Sequence, residues 1–172
     1  MVDFFLKIDS VLGDSLDSHH KDEIEVIDFS WGETHASSLS AAGGAAVGKV
    51  AIEDFHFTSH IGVASPKLML LCANGKHIKS AILSGHRAGV TQQDYLKITL
   101  SDVTVSACHL SAMTGDGPVD EVSLQFSKVQ IDYKPQKATG ALAAAVHART
   151  ALRMAIPAAP GLLRLLWHAR LV

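Results

Sequence analysis

The sequence predicts a mainly β protein: bent antiparallel strands in a two-sheet β-barrel with one short flanking α-helix. Three observations carry this. Six runs alternate apolar and polar residues, the period-two mark of strands with unlike faces. Four of those runs slip by one residue part-way and resume on the other parity. One segment alone, near residues 65–75, carries helix start and stop signals at its two ends.

In chain order the strands are "VDFFLKI" at 2–8, "EIEVIDFSW" at 23–31, "KVAIEDFHF" at 49–57, "HIKSAILSGHR" at 77–87, "DYLKITLSDVTVSA" at 94–107 and "EVSLQFSKVQIDY" at 121–133. In the slips, Val26 gives way to Phe29 and Trp31, and Ile52 to Phe55 and Phe57. Leu100 gives way to Val103 and Val105, and Phe126 to Val129, Ile131 and Tyr133. A regular strand cannot change parity, so each slip predicts a bulge, a bend or a strand whose halves bury opposite faces. Outward apolar half-strands would need a partner, which points to an oligomer. In the helix "SPKLMLLCANG", Ser65 is the expected N-cap and Pro66 the first helical residue. Gly75 stops it, and Leu68, Leu71 and Cys72 share the face that meets the core. Residues 32–48 and 109–121, small and polar, read as long loops.

The totals exclude several classes. The 172 residues suit one domain, possibly with an appendage, and a composition of 48% hydrophobic and 19% charged residues is globular. No run of 18 apolar residues encodes an ordinary membrane span, and "MVDFFLKID" does not read as a cleavable secretory signal. Cys72 and Cys108 lack CxxC spacing and read as buried free thiols of a reducing compartment. All 17 acidic residues and nine of the 15 basic ones lie in 1–132, a net charge of −8, so the body offers no basic patch for nucleic acid.

The chemical motifs fail one by one. "GGAAVGK" at 43–49 spells most of a phosphate loop. Its predecessor "ASSLSA" is no buried strand, Val50 stands where a magnesium-binding hydroxyl belongs, and a strand follows where a helix is required. Among the ten histidines, His19 and His20 point apart on an extended chain, and His56 and His60 precede the helix. No structural-zinc spacing appears, so surface or capping histidines are the expectation and no metal or other cofactor is assigned. Ser84-Gly85-His86 lies in a strand, not a nucleophile elbow, and Glu53-Asp54 and Asp120-Glu121 read as solvated charges. No catalytic residue is assigned.

Read in order, "FFLKID", "GDSLDSHHKDEIEVIDFSWG", "GGAAVGKV", "DFHFT", "SPKLMLLCANGKHI", "DYLKITLSDVTVS" and "VSLQFSKVQIDYKPQK" closely resemble the haemolysin-coregulated protein (Hcp) family, the tube subunits of type VI secretion. The resemblance covers about residues 2 to 137. It implies a non-enzymatic β-barrel that forms hexameric rings, stacked into a tube. It further implies a spike protein at the tube tip, a contractile sheath around it and small effectors in its lumen. It implies synthesis in the bacterial cytoplasm and export by the machine itself, without a cleaved signal. By this resemblance Gly32, Ser37, Ser38, Ser40, Gly43, Gly44, Val47 and Gly48 fall in an extended loop that reaches a neighbouring subunit or ring.

The division expected is an Hcp-like domain at 1–137 and an atypical tail at 138–172. Eleven of the 35 tail residues are Ala, none is acidic, and helix is favoured up to Pro157. Three explanations stay open: translation in an altered reading frame, a native extension acting as a membrane-active or effector segment, or a helix capping the edge left by a missing last strand. Membrane contact is expected only through this tail.

Overall fold

The computed structural model describes residues 2–35, 50–87, 93–113, 117–136 and 142–151. Along them run β1 (Val2–Ile8), β2 (Ile24–Ser30), β3 (Glu33–His35), β4 (Val50–Ile52), β5 (Phe55–His60), α1 (Ser65–Asn74), β6 (Ile78–Arg87), β7 (Gln93–Met113), β8 (Gly117–Gln125), β9 (Lys128–Tyr133) and β10 (Val146–Ala151). All strand pairings are antiparallel. β1 pairs with β2 and β6, β2 with β5, β5 with β8, β8 with β7, and β7 with β6. That circuit closes a six-stranded barrel, which removes the free edges an open sheet would expose. β9 and β10 extend the sheet beyond β7, and β3 and β4 form a separate two-stranded ladder.

Closure depends on β7, which runs for 21 residues and serves two neighbourhoods. Its first half, to Ser101, lies between β6 and β9; from Thr104 onwards it pairs with β8. The switch falls at Asp102, whose φ of 54° is left-handed. Aspartate tolerates that region better than most residues, because its short polar side chain bonds locally. Here its Oδ2 accepts from the Ser127 hydroxyl at 2.6 Å.

The other slips have the same physical origin. The β2–β5 register shifts between Val26 and Asp28, leaving Ile27 half-exposed at the bulge. The strand is interrupted at Glu53-Asp54 between β4 and β5, and again at Phe126-Ser127 between β8 and β9. Most residues beyond the slips still face the interior, while Tyr133 is exposed. Phe55, Phe57, Val103, Val105 and Val129 are all buried in one core with Leu6, Leu83 and Leu124. The outward apolar half-strands expected from the slips are therefore absent at these positions. Each bend resets the parity so that one interior stays lined as the strand turns. Exposed apolar residues do occur in the slipped runs at Ile27, Val50 and Tyr133; others are Leu110 on β7, Val146 on β10, Leu12 and Leu16 in the β1–β2 connector, Ile61 and Val63 before α1, and Met69 and Leu70 on it.

Three further expectations change. The loop placed at 109–121 is mostly ladder. Met113 pairs with Gly117 and Leu110 with Asp120, because closing β7 onto β8 recruits even small and polar residues. Asp120 is consequently buried rather than solvated, and its Oδ1 has no partner among the described residues. The N-cap of α1 is Ala64, not Ser65; the Ser65 hydroxyl instead accepts from the Gly62 amide at 2.9 Å. Gly75 ends the helix in the left-handed conformation, φ 57°, as its position predicts. Leu68 and Leu71 are buried, while Cys72 is half-buried.

The tail begins as a strand. Val146–Ala151 pairs with β9 in unbroken register from Val146↔Tyr133 to Ala151↔Lys128, where composition favours helix. A short helix in water is marginal even when Ala-rich, whereas β9 presents a ready ladder edge. Barrel closure needs no such strand, because β8 already reaches both β5 and β7. Residues 152–172 lie outside the described residues.

Candidate functional site

Two surface features and one buried cluster qualify as functional. The first is the stem formed by β3 and β4, with Glu33, Thr34 and His35 opposite Ile52, Ala51 and Val50. All six residues are exposed except the half-buried Ile52. Its base is tied to the barrel: the Glu53 amide donates to the Gly32 carbonyl at 3.0 Å, and the Trp31 indole N–H donates to the Glu53 carbonyl at 3.1 Å. Gly32 thus sits at the root of the stem. Ser37, Ser38, Ser40, Gly43, Gly44, Val47 and Gly48 lie outside the described residues. Val50 is the first residue of β4, so a strand does follow the glycine-rich stretch.

The second feature is a polar depression of about 310 Å³ on β2, β5, β7 and β8, lined by Asp28, His56, His109, Glu121 and Ser123 among others. His56 Nδ1 lies 2.7 Å from the Ser123 hydroxyl. The two face each other directly in the β5–β8 register, which accounts for the contact by strand pairing alone. His56 and His60 are both exposed residues of β5 and not helical neighbours.

The buried cluster lies on the far side of β1 from the core. Phe5 is buried there under the β1–β2 connector, and the His20 ring stacks on it at 4.4 Å. His20 Nδ1 meets Glu23 Oε2 at 2.9 Å, and its Nε2 meets Asp94 Oδ1 at 3.1 Å. His86 Nδ1 meets the same Asp94 oxygen, also at 3.1 Å. A bulge in the β6–β7 ladder sets His86 opposite Asp94. His20 and His86 are therefore buried, not surface or capping residues. They stand 66 positions apart in the chain, and only the ladder brings them together. A strand-parity signal was present, since His86 shares the outward parity of Ser84, but nothing local pointed to His20.

The profile described as "Type VI secretion system effector, Hcp" matches residues 5–133. The chain belongs to the Hcp family. Protein hcp1 of Pseudomonas aeruginosa is 43% identical over 142 residues, 81% of this chain and 88% of that protein. The crystal structure of Hcp1 from Salmonella typhimurium superposes with a TM-score of 0.72 at 33% identity, covering 88% of this chain and 95% of that one. A type VI secretion system effector from Yersinia pestis gives a TM-score of 0.72 at 30% identity, covering 87% and 100%. Hcp proteins are structural tube components of type VI secretion rather than enzymes, and the barrel with one flanking helix is the Hcp fold. In this Hcp chain the matched segment ends at β9, so β10 and residues 152–172 lie beyond it.

Proposed function

We propose that this Hcp chain is a tube subunit. Six copies close a ring, rings stack into a tube, and the tube carries small effectors in its lumen. A contractile sheath surrounds it and a spike protein crowns it. The chain is made in the bacterial cytoplasm and leaves through the type VI machine without a cleaved signal. On this reading 1–137 is the Hcp-like domain and 138–172 an atypical tail that begins by adding β10 to its edge.

The observation that supports stacking is the exposed β3–β4 stem. An isolated two-stranded hairpin is marginal in water. This one buries almost nothing of its own, so a neighbouring subunit is the natural cover. Gly32, Ser37, Ser38, Ser40, Gly43, Gly44, Val47 and Gly48 then form the inter-subunit loop. Glycines let that loop approach another backbone without Cβ clashes. The large apolar side chains exposed on α1 and the connector supply further surface that association would cover.

Replacing residues 36–49 by Asn-Gly tests the reading, since that pair suits a two-residue hairpin turn. The shortened protein is expected to keep its β spectrum and lose stacked tubes in electron micrographs, as is Gly48→Val to a lesser degree. Tubes of unchanged length from the shortened protein would overturn the role of the loop.

A further inference from the structure

We propose that His20, His86 and Asp94 form a binding site for a first-row divalent transition metal, with zinc as its natural probe. Glu23 orients His20 from behind. The donors are His20 Nε2, His86 Nδ1 and Asp94 Oδ1.

Hydrogen-bond counting carries the argument. His20 faces a carboxylate at each ring nitrogen, Glu23 at 2.9 Å and Asp94 at 3.1 Å. Carboxylates only accept, so His20 satisfies both without a metal only as a doubly protonated imidazolium. Asp94 Oδ1 must also take the His86 N–H. A cation at the shared position changes this. Neutral His20 keeps its Nδ1–H for Glu23 and gives its Nε2 lone pair to the metal, the carboxylate–histidine–metal arrangement that fixes ring orientation. His86 brings a second imidazole nitrogen to the same carboxylate oxygen: the ring is 3% exposed and its Nδ1 lies 3.1 Å from Asp94 Oδ1.

Geometry and charge agree. The three donor atoms lie within 4.8 Å of one another. A tetrahedral zinc site has ligand–ligand edges of about 3.3 Å, close to both distances at Asp94. The two rings must approach by at most about 1.5 Å, within reach of side-chain rotation and leaving a fourth position for water. Asp17 adds a third carboxylate beside the pair, its Oδ1 accepting from the His19 and His20 amides. Arg87, the adjacent cation, is engaged over the Tyr95 ring and with Gln136. Two imidazoles with one carboxylate suit zinc and its neighbours, not magnesium.

The test uses the full chain, stripped with a chelator and titrated with Zn²⁺ while stoichiometry and thermal unfolding are followed. One ion per chain is expected, with the midpoint raised by about 5 °C at saturating metal. Mg²⁺ at the same concentration should do nothing. Asp94→Asn and His86→Gln should each weaken zinc binding at least tenfold, while His60→Gln, at an exposed histidine of β5, leaves it unchanged. Asp94 is partly exposed, so Asp94→Asn carries the test should His86→Gln fail to fold. Binding that survives Asp94→Asn, or that is lost in His60→Gln, would place zinc on surface histidines and overturn the proposal. So would a stripped protein with no zinc-dependent shift.

Discussion

Replacing Asp102 by valine attacks the bend that lets one strand serve both β9 and β8. Asp102 holds φ at 54°. The left-handed region costs a side chain about 1–2 kcal/mol, and a β-branched residue sits at the upper end. The substitution also removes the nearer of two acceptors for the Ser127 hydroxyl, the other being the Ser101 carbonyl at 3.3 Å; the lost hydrogen bond is exposed and worth about 0.5 kcal/mol. The Lys128 ammonium, 3.9 Å away and exposed, adds little. The total is about 2 kcal/mol, which at a urea slope of about 2 kcal/mol per molar lowers the midpoint by roughly 1 M. Asp102→Asn keeps both the backbone tolerance and an acceptor and should stay within about 0.5 kcal/mol of the parent. Urea unfolding at one fixed protomer concentration reads both, since association would shift the curve. A valine variant with the parent midpoint would refute the strained bend. Asparagine falling as far as valine would show that charge, not backbone, is what matters there.

Two further perturbations probe other parts of the barrel. A Cβ at Gly13 would lie 2.2 Å from the Glu23 carbonyl oxygen and 2.5 Å from the Ile24 nitrogen, both backbone atoms. Gly13→Ala should therefore cost on the order of 2 kcal/mol in urea unfolding and speed proteolysis within residues 9–23, whereas unchanged cleavage would contradict the packing of the connector. The His147 ring hydrogen-bonds Asp132 across β9 and β10 and holds that carboxyl below its ordinary value. A lowered folded value means stabilisation that is present above the usual carboxylate range near 4 and lost as pH falls through the folded value. Amide protection over Val146–Ala151, taken relative to the intrinsic exchange rate at each pH, should thus fall on acidification, less so in Asp132→Asn; an equal fall in both would show that the contact does not hold β10.

Much of the barrel was legible because its cause is local. The parity slip after Leu100 is written in the alternation itself, and a bend there is the one way to keep Val103 in the same core. What could not be read locally depended on closure. "HLSAMTGDGPVDE" has the composition of a loop, and only the need to pair β7 with β8 makes strand of its flanks. The helix preference of the Ala-rich tail likewise yields to the free edge of β9. The histidine cluster was illegible for the same reason. His20 comes from a connector and His86 from β6, and the bulge that turns Asp94 towards them is a property of the ladder, not of either segment.

The central claim is that this Hcp chain assembles into rings. Its most direct test is the mass of the purified full chain in solution, by light scattering after size exclusion, with negative-stain images of the same fraction. The predicted particle has six chain masses and is seen end-on as a ring with a central hole. A monodisperse monomer that forms no rings across a wide range of protein concentration would contradict it.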